Sequence, residues 1–198
     1  MLASCSGEFF TNDNSVRLWN VRTGNQLKKL EGHSDLVWTV AFSFDGKVLA
    51  SGGDDSRIIL WDPEKGERLK TLEGHSGAVL CVEWAPDGSQ LVSGGGYRDK
   101  KIKLWSPSTG ECLNTLEGHS AQINRVRFSL DGTMLVSCSG ASYGQHDNSV
   151  RLWDVGTGKE LKKLEGHSEM VRACKFAPDG KTVVSASDDK TLKIWNVA

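Results

Sequence analysis

The pentapeptide LEGHS stands at Leu30–Ser34, Leu72–Ser76, Leu116–Ser120 and Leu164–Ser168, and each copy is followed by a serine, an aspartate and a tryptophan in that order. Histidine, serine and aspartate are the inventory of a hydrolase, in which a base activates a hydroxyl and an acid orients the base. A hydrolase needs one exposed nucleophile beside oxyanion donors, so four equal copies along one chain argue against that use. Buried tryptophan N–H, imidazole and carboxylate groups are each costly unless paired, and a closed network would satisfy all of them at once. The repeated set therefore reads as architecture.

Other chemical leads are weaker. Gly156-Thr157-Gly158-Lys159 has part of a phosphate loop, but Trp153 takes the place of its first glycine, Glu160 follows the lysine, and a strand comes next instead of a helix. Gly94, Gly95 and Gly96 also lie between strands, with no helix dipole to receive an anion. The basic run Arg98, Lys100, Lys101 and Lys103 is partly alternating, as solvated strand faces are, and lacks stacking aromatics. The five cysteines have no C-x-x-C spacing and read as buried reduced thiols, so neither a metal nor any other cofactor is expected. Lys and Arg number 24 against 25 Asp and Glu, which leaves no global field to hold a polyanion or an anionic membrane. No apolar run approaches the ~20 residues that span a bilayer, and Met1 leads into no signal-peptide pattern, so a cytoplasmic protein is expected, with the nucleus left open.

What positions the repeated residues is a period. Successive Gly-His pairs are 42, 44 and 48 residues apart, and Trp19, Trp61, Trp105, Trp153 and Trp195 are 42, 44, 48 and 42 apart. The aspartates Asp13, Asp55, Asp99, Asp147 and Asp189 each stand six residues before their tryptophan, whatever the loop length upstream. Each unit breaks into short β-branched and aromatic runs separated by turns, which predicts four strands: VWTVAF, then KVLAS, RIILW and ERLKTL in the second unit. Asp-Gly pairs at Asp45, Asp87, Asp131 and Asp179 mark the first turn as a tight hairpin. Within the first strand apolar residues recur four, seven and nine residues after the histidine, a break in alternation that predicts a bulge.

Gly-His, a Phe-Ser-x-Asp-Gly-like hairpin, Leu-Ala-Ser, Asp and then Trp-Asp together resemble the WD-repeat β-propeller family. The third strand ends in Trp-Asp only at Trp61 and Trp153; it is Trp-Asn at Trp19 and Trp195 and Trp-Ser at Trp105. The resemblance implies an all-β fold: a propeller sector of four-stranded antiparallel blades, with blades at 32–73, 74–117 and 118–165 flanked by three-stranded partial blades at 1–31 and 166–198. Met1 aligns with Met134 (MLASCSG against MLVSCSG), so the chain is expected to start inside a blade. Seven blades of ~42 residues would need about 294. A piece of a larger propeller, a truncated gene and a ring completed by another chain all fit this reading, and each leaves open edges that favour self-association.

The family likeness also implies hydrogen-bonded tetrads that tie three strands together: His33, Ser51, Asp55, Trp61; His75, Ser93, Asp99, Trp105; His119, Ser137, Asp147, Trp153; and His167, Ser185, Asp189, Trp195. It implies as well that the positions three and five after each histidine, and the residue before each tetrad aspartate, face one rim. These read Leu36, Trp38 and Asp54; Ala78, Leu80 and Arg98; Gln122, Asn124 and His146; Met170, Arg172 and Asp188. They differ from unit to unit, as a binding surface should, and Tyr97 and Tyr143 lie in longer loops beside them. The function expected is a non-catalytic scaffold that holds a protein or peptide partner on that rim, anchored by Trp38 and Arg172. A nucleic-acid binder using Arg98 to Lys103, and an enzyme with a site in a groove, are the alternatives.

Overall fold

The computed structural model describes residues 1–6, 13–141 and 147–197. Among these residues there are strands and no α-helix, and the strands pair into five antiparallel sheets whose spatial order follows the chain. The first sheet holds β1 (Leu2–Cys5), β2 (Val16–Trp19) and β3 (Gln26–Leu30). The second holds β4 (Val37–Phe42), β5 (Leu49–Gly53), β6 (Ile58–Asp62) and β7 (Glu67–Leu72). The third holds β8 (Val79–Trp84), β9 (Leu91–Gly95), β10 (Ile102–Trp105) and β11 (Cys112–Leu116). The fourth holds β12 (Ile123–Phe128), β13 (Met134–Ser139), β14 (Val150–Asp154) and β15 (Glu160–Leu164). The fifth holds β16 (Val171–Phe176), β17 (Thr182–Ser187) and β18 (Leu192–Asn196). This is the arrangement of a propeller sector.

There is no single core. Apolar side chains gather in four clusters, each between one sheet and the next, because a strand displays alternate residues on both faces and each middle face is covered by a neighbour. Ile58 and Leu60 of β6 meet Val79, Leu91 and Trp105 of the third sheet; Ile102 and Leu104 of β10 meet Ile123, Leu135 and Trp153 of the fourth. β5 and β9 are buried along their whole length, which explains why LASGG and LVSGG carry no outward polar face. The sheets approach closely at Gly94, where a Cβ would lie 2.6 Å from both Cys81 Sγ and Ile123 Cγ2. The strands β4, β8, β12 and β16 pack against one another from sheet to sheet and form the inner wall.

The Asp-Gly turns form, with a wider geometry than a two-residue hairpin. Gly46 N–H donates to Ser43 O at 2.9 Å and Ser43 N–H to Val48 O at 2.8 Å, and only the glycine is left-handed, with φ +71°. Nothing lies within 4 Å of a Cβ placed there, so backbone conformation and not space selects glycine. The first-strand bulge is present in all four complete inner strands: the ladder shifts register between Val37 and Thr39, Val79 and Cys81, Ile123 and Arg125, and Val171 and Ala173. The residue set aside is Trp38, Leu80, Asn124 or Arg172. Cys81, Cys138 and Cys174 are buried, but Cys112, on the outer strand β11, is exposed, against the expectation of burial; all five thiols are free.

Candidate functional site

Each histidine lies just before an inner strand, its serine on the second strand, its aspartate in the following loop and its tryptophan at the end of the third. His33 Nδ1 is 2.9 Å from Asp55 and Nε2 2.7 Å from Ser51 Oγ, and Trp61 Nε1–H donates to the same Oγ at 2.8 Å. The corresponding distances are 2.7, 2.6 and 2.8 Å around Ser93. They are 2.7, 2.8 and 2.8 Å around Ser137, and again around Ser185. One proton assignment satisfies every group. The tryptophan can only donate, so the serine oxygen accepts from it and gives its own proton to His Nε2, while Nδ1–H faces the carboxylate. Each aspartate also accepts backbone N–H groups on both sides of the crossing, Ser76 and Lys101 for Asp99, which pins the loop before the first strand to the start of the third.

The connectivity Asp–His–Ser is that of a nucleophilic triad, but its surroundings are not. Ser51, Ser93 and Ser137 have no exposed surface, and each Oγ is enclosed between its histidine and a tryptophan N–H, so burial keeps a substrate carbonyl from the hydroxyl. Burial by itself would raise the Asp147 carboxyl, yet His119, Ser149 and the Ser120 N–H outweigh it and hold the group well below the usual carboxylate range. The same balance lowers Asp55 and Asp99. Burial also pushes the His119 imidazole down, against the pull of Asp147, so it is neutral at pH 7. The third set carries an addition that the sequence reading missed: buried Arg151 donates to Glu160 at 2.5 Å and lies 3.6 Å from Asp147.

The rim residues separate into groups. Trp38, at 47% exposure, stands out from its bulge and its Nε1–H donates to Asp54 at 2.6 Å. Arg172 occupies the same place in the fifth sheet and holds Asp188 through both Nε, at 2.9 Å, and Nη2, at 2.7 Å. The position five after the histidine thus reaches the residue before the tetrad aspartate. An N–H donor and a carboxylate at those two places was the readable signal. Tyr97 and Arg98 are exposed, with Lys100 over the Tyr97 ring at 5.3 Å.

Leu36 and Met170, expected on the rim, are buried at 6% and 5%. The loop leaving the second strand crosses over this position, its N–H groups donating from Asp54 to Leu36 O at 2.8 Å and from Asp188 to Met170 O at 2.9 Å. Met170 also packs against Gly140 of the preceding sheet, where a Cβ would lie 2.6 Å from its Cγ. Leu80 is half-buried. Asn124 is spent on structure, its side-chain amide donating to Gly140 O and, across the sheets, to Val171 O at 2.9 Å. Tyr143 and His146 lie outside the described residues. In the basic run, Lys101 pairs with Glu117 at 2.6 Å and Lys103 donates to Thr115 at 2.9 Å. Among the described residues no cluster could hold a metal ion, and no helix is long and apolar enough to cross a membrane.

The profile of the WD domain, G-beta repeat, matches residues 24–62, 66–106, 110–154 and 158–196. Among curated proteins, the Nuclear distribution protein PAC1 of Coccidioides posadasii is 46% identical over 55 residues, 28% of this chain and 11% of that protein. A Coronin-like protein of Saccharomyces cerevisiae is 40% identical over 57 residues, 29% of this chain and 8% of its own length. The Small ribosomal subunit protein RACK1y of Oryza sativa subsp. japonica is 49% identical over 43 residues, 22% of this chain and 13% of that one. The matched segments span about a tenth of these relatives.

Proposed function

The chain belongs to the WD-repeat family, and on that premise we propose that it is a non-catalytic scaffold that holds a protein or peptide partner on the rim carrying Trp38, Leu80, Arg98 and Arg172. The observation that carries this is the bulge. Four structurally equal inner strands each set one side chain aside from the ladder, and those four side chains are a tryptophan, a leucine, an asparagine and an arginine. Scaffold positions repeat; these do not. Trp38 and Arg172 are held by Asp54 and Asp188, so a partner meets them already ordered, which lowers the entropic cost of binding. Tyr97 and Arg98 extend the surface from the longer loop of the third sheet.

The tetrads, on this reading, are structural in all four copies, each fastening three strands of one sheet. Burial of the serine hydroxyls speaks against a hydrolase, and the pairing of Lys101 and Lys103 on their own sheet speaks against a nucleic-acid strand. Five free thiols fit a reducing, cytoplasmic setting. The test is capture of partners from a lysate by the wild-type chain, the Trp38→Ala and Arg172→Ala variants and a Lys28→Ala, Lys70→Ala, Lys162→Ala outer-edge variant. Loss of one shared partner with either rim variant, by about 2 kcal/mol in a follow-up titration, supports the rim. Loss with the outer-edge variant alone refutes it.

A further inference from the structure

A second docking surface lies at the other end of the strands. β4 runs from Val37 beside the rim to Phe42, and the hairpin after it carries Phe44, 89% exposed, on the face opposite Trp38. A groove of about 650 Å³ opens there between the second and third sheets, walled by Phe44, Trp84, Pro86 and Pro107 and edged by Asp45 and Asp87. No lysine, arginine or histidine is among the residues lining it, and at its border the Lys70 ammonium donates to Ser108 O. An exposed phenylalanine at a hairpin tip buries nothing in the chain's own core, so its apolar surface is free for a ligand.

The groove is particular to this pair of sheets. Hairpin-tip positions read Phe44, Pro86, Leu130 and Pro178, and the last residue of the inner strand is Phe42, Phe128 or Phe176 elsewhere but Trp84 here. Trp84 Nε1–H donates to Ala41 O at 3.0 Å, which bridges the two sheets and fixes the ring. The carboxylates are fixed too. Asp45 accepts Ser43 Oγ–H at 2.7 Å and the Lys47 N–H, and the Lys47 ammonium stands 3.8 Å from its Oδ2; Asp87 accepts the Ser89 hydroxyl at 2.7 Å and its N–H at 2.9 Å. These bonds hold both groups below the usual carboxylate range, so both are charged at neutral pH. Both hydrogen bonds to Asp87 fall on Oδ1, which leaves Oδ2 for a ligand. A neighbouring groove of about 420 Å³ on the same face is lined instead by Arg127 and Lys175, with Glu83 already paired to Arg127 at 2.6 Å.

We infer that the groove between the second and third sheets docks an extended basic and apolar peptide segment. Its apolar side chain lies against Phe44 and Pro86, and an adjacent arginine or lysine is taken by Asp87. Arginine suits the site best, because its planar guanidinium can stack on the exposed Phe44 ring while it donates to a carboxylate. This surface is separate from the rim, so one partner could hold both faces or two partners could bind together.

The experiment is fluorescence anisotropy with a short labelled peptide of alternating leucine and arginine and its leucine–glutamate counterpart. The expected result is saturable binding of the arginine peptide alone, weakened about tenfold or more by Phe44→Ala and by Asp87→Asn and unchanged by Trp38→Ala. Both test variants keep the fold within reach: Phe44 is exposed, and asparagine retains the Oδ1 acceptor of the turn. Three outcomes overturn the inference: no binding of the arginine peptide up to about 1 mM, equal binding of both peptides, or loss with Trp38→Ala while Phe44→Ala binds normally.

Discussion

Replacing Ser93 by alanine removes one oxygen at the most heavily used point of the third sheet. That oxygen accepts Trp105 Nε1–H at 2.8 Å and gives its proton to His75 Nε2 at 2.6 Å, in a residue with no exposed surface. Alanine leaves almost the same volume filled, so the cavity term is small. What changes is that a buried indole N–H and a buried ring nitrogen lose their partners together. Each orphan costs about 1–3 kcal/mol, so the variant should lose about 2–6 kcal/mol. Urea unfolding followed by circular dichroism measures it. Trp105→Phe takes away the orphaned donor as well, so the double variant should cost less than the sum of the single ones by about 1–2 kcal/mol. The exchange at Ser137 should fall in the same range, because its two distances are 2.8 Å each. A loss below about 0.5 kcal/mol, the scale of ordinary surface substitutions, or strict additivity in the cycle, would refute the claim that the tetrads hold the sheets together.

Acidification should destabilise the fold in two stages. His119 is held below the ordinary imidazole value, so the unfolded chain takes the proton first, and the contribution present above ~6.5 is lost as pH falls through the lower folded value. Asp55, Asp99 and Asp147 are held below the unfolded carboxylate value, so their contribution is present above about 4 and disappears as pH drops further. A melting temperature that rises on acidification would contradict both. Gly94→Ala should cost about 1–3 kcal/mol through overpacking against Cys81 and Ile123, where each contact would be 2.6 Å; unchanged urea stability would show that the sheets can part freely. In native protein, iodoacetamide should label exposed Cys112 first and spare Cys81, which is buried with its thiol pushed up to about 12. Peptide mass mapping reads the order, and early labelling of Cys81 would mean that the interface opens.

The repeat was legible because it rests on short-range physics. Strand runs, Asp-Gly turns and the fixed six residues from aspartate to tryptophan are set within one sheet, and a network that must satisfy three buried polar groups leaves little freedom in residue type. The inner-strand bulge was readable for the same reason: a break in alternation along six residues has a local cause. Exposure at the rim was not legible. Leu36 and Met170 stand at the same place in the repeat as Ala78 and Gln122, and sequence assigns all four to one surface, yet a loop crossing over Leu36 and the close approach of Gly140 to Met170 bury them. Asn124, by sequence a free rim amide, is committed by Val171 of the next sheet, 47 residues away along the chain. The groove below Phe44 is likewise a product of juxtaposition. Its wall combines a hairpin tip of the second sheet with the end of β8 and the turn after β10, and only packing of one sheet on the next brings them together. Periodicity along one strand fixes which face a side chain takes; what covers that face belongs to a neighbouring sheet, and only the tertiary structure decides it.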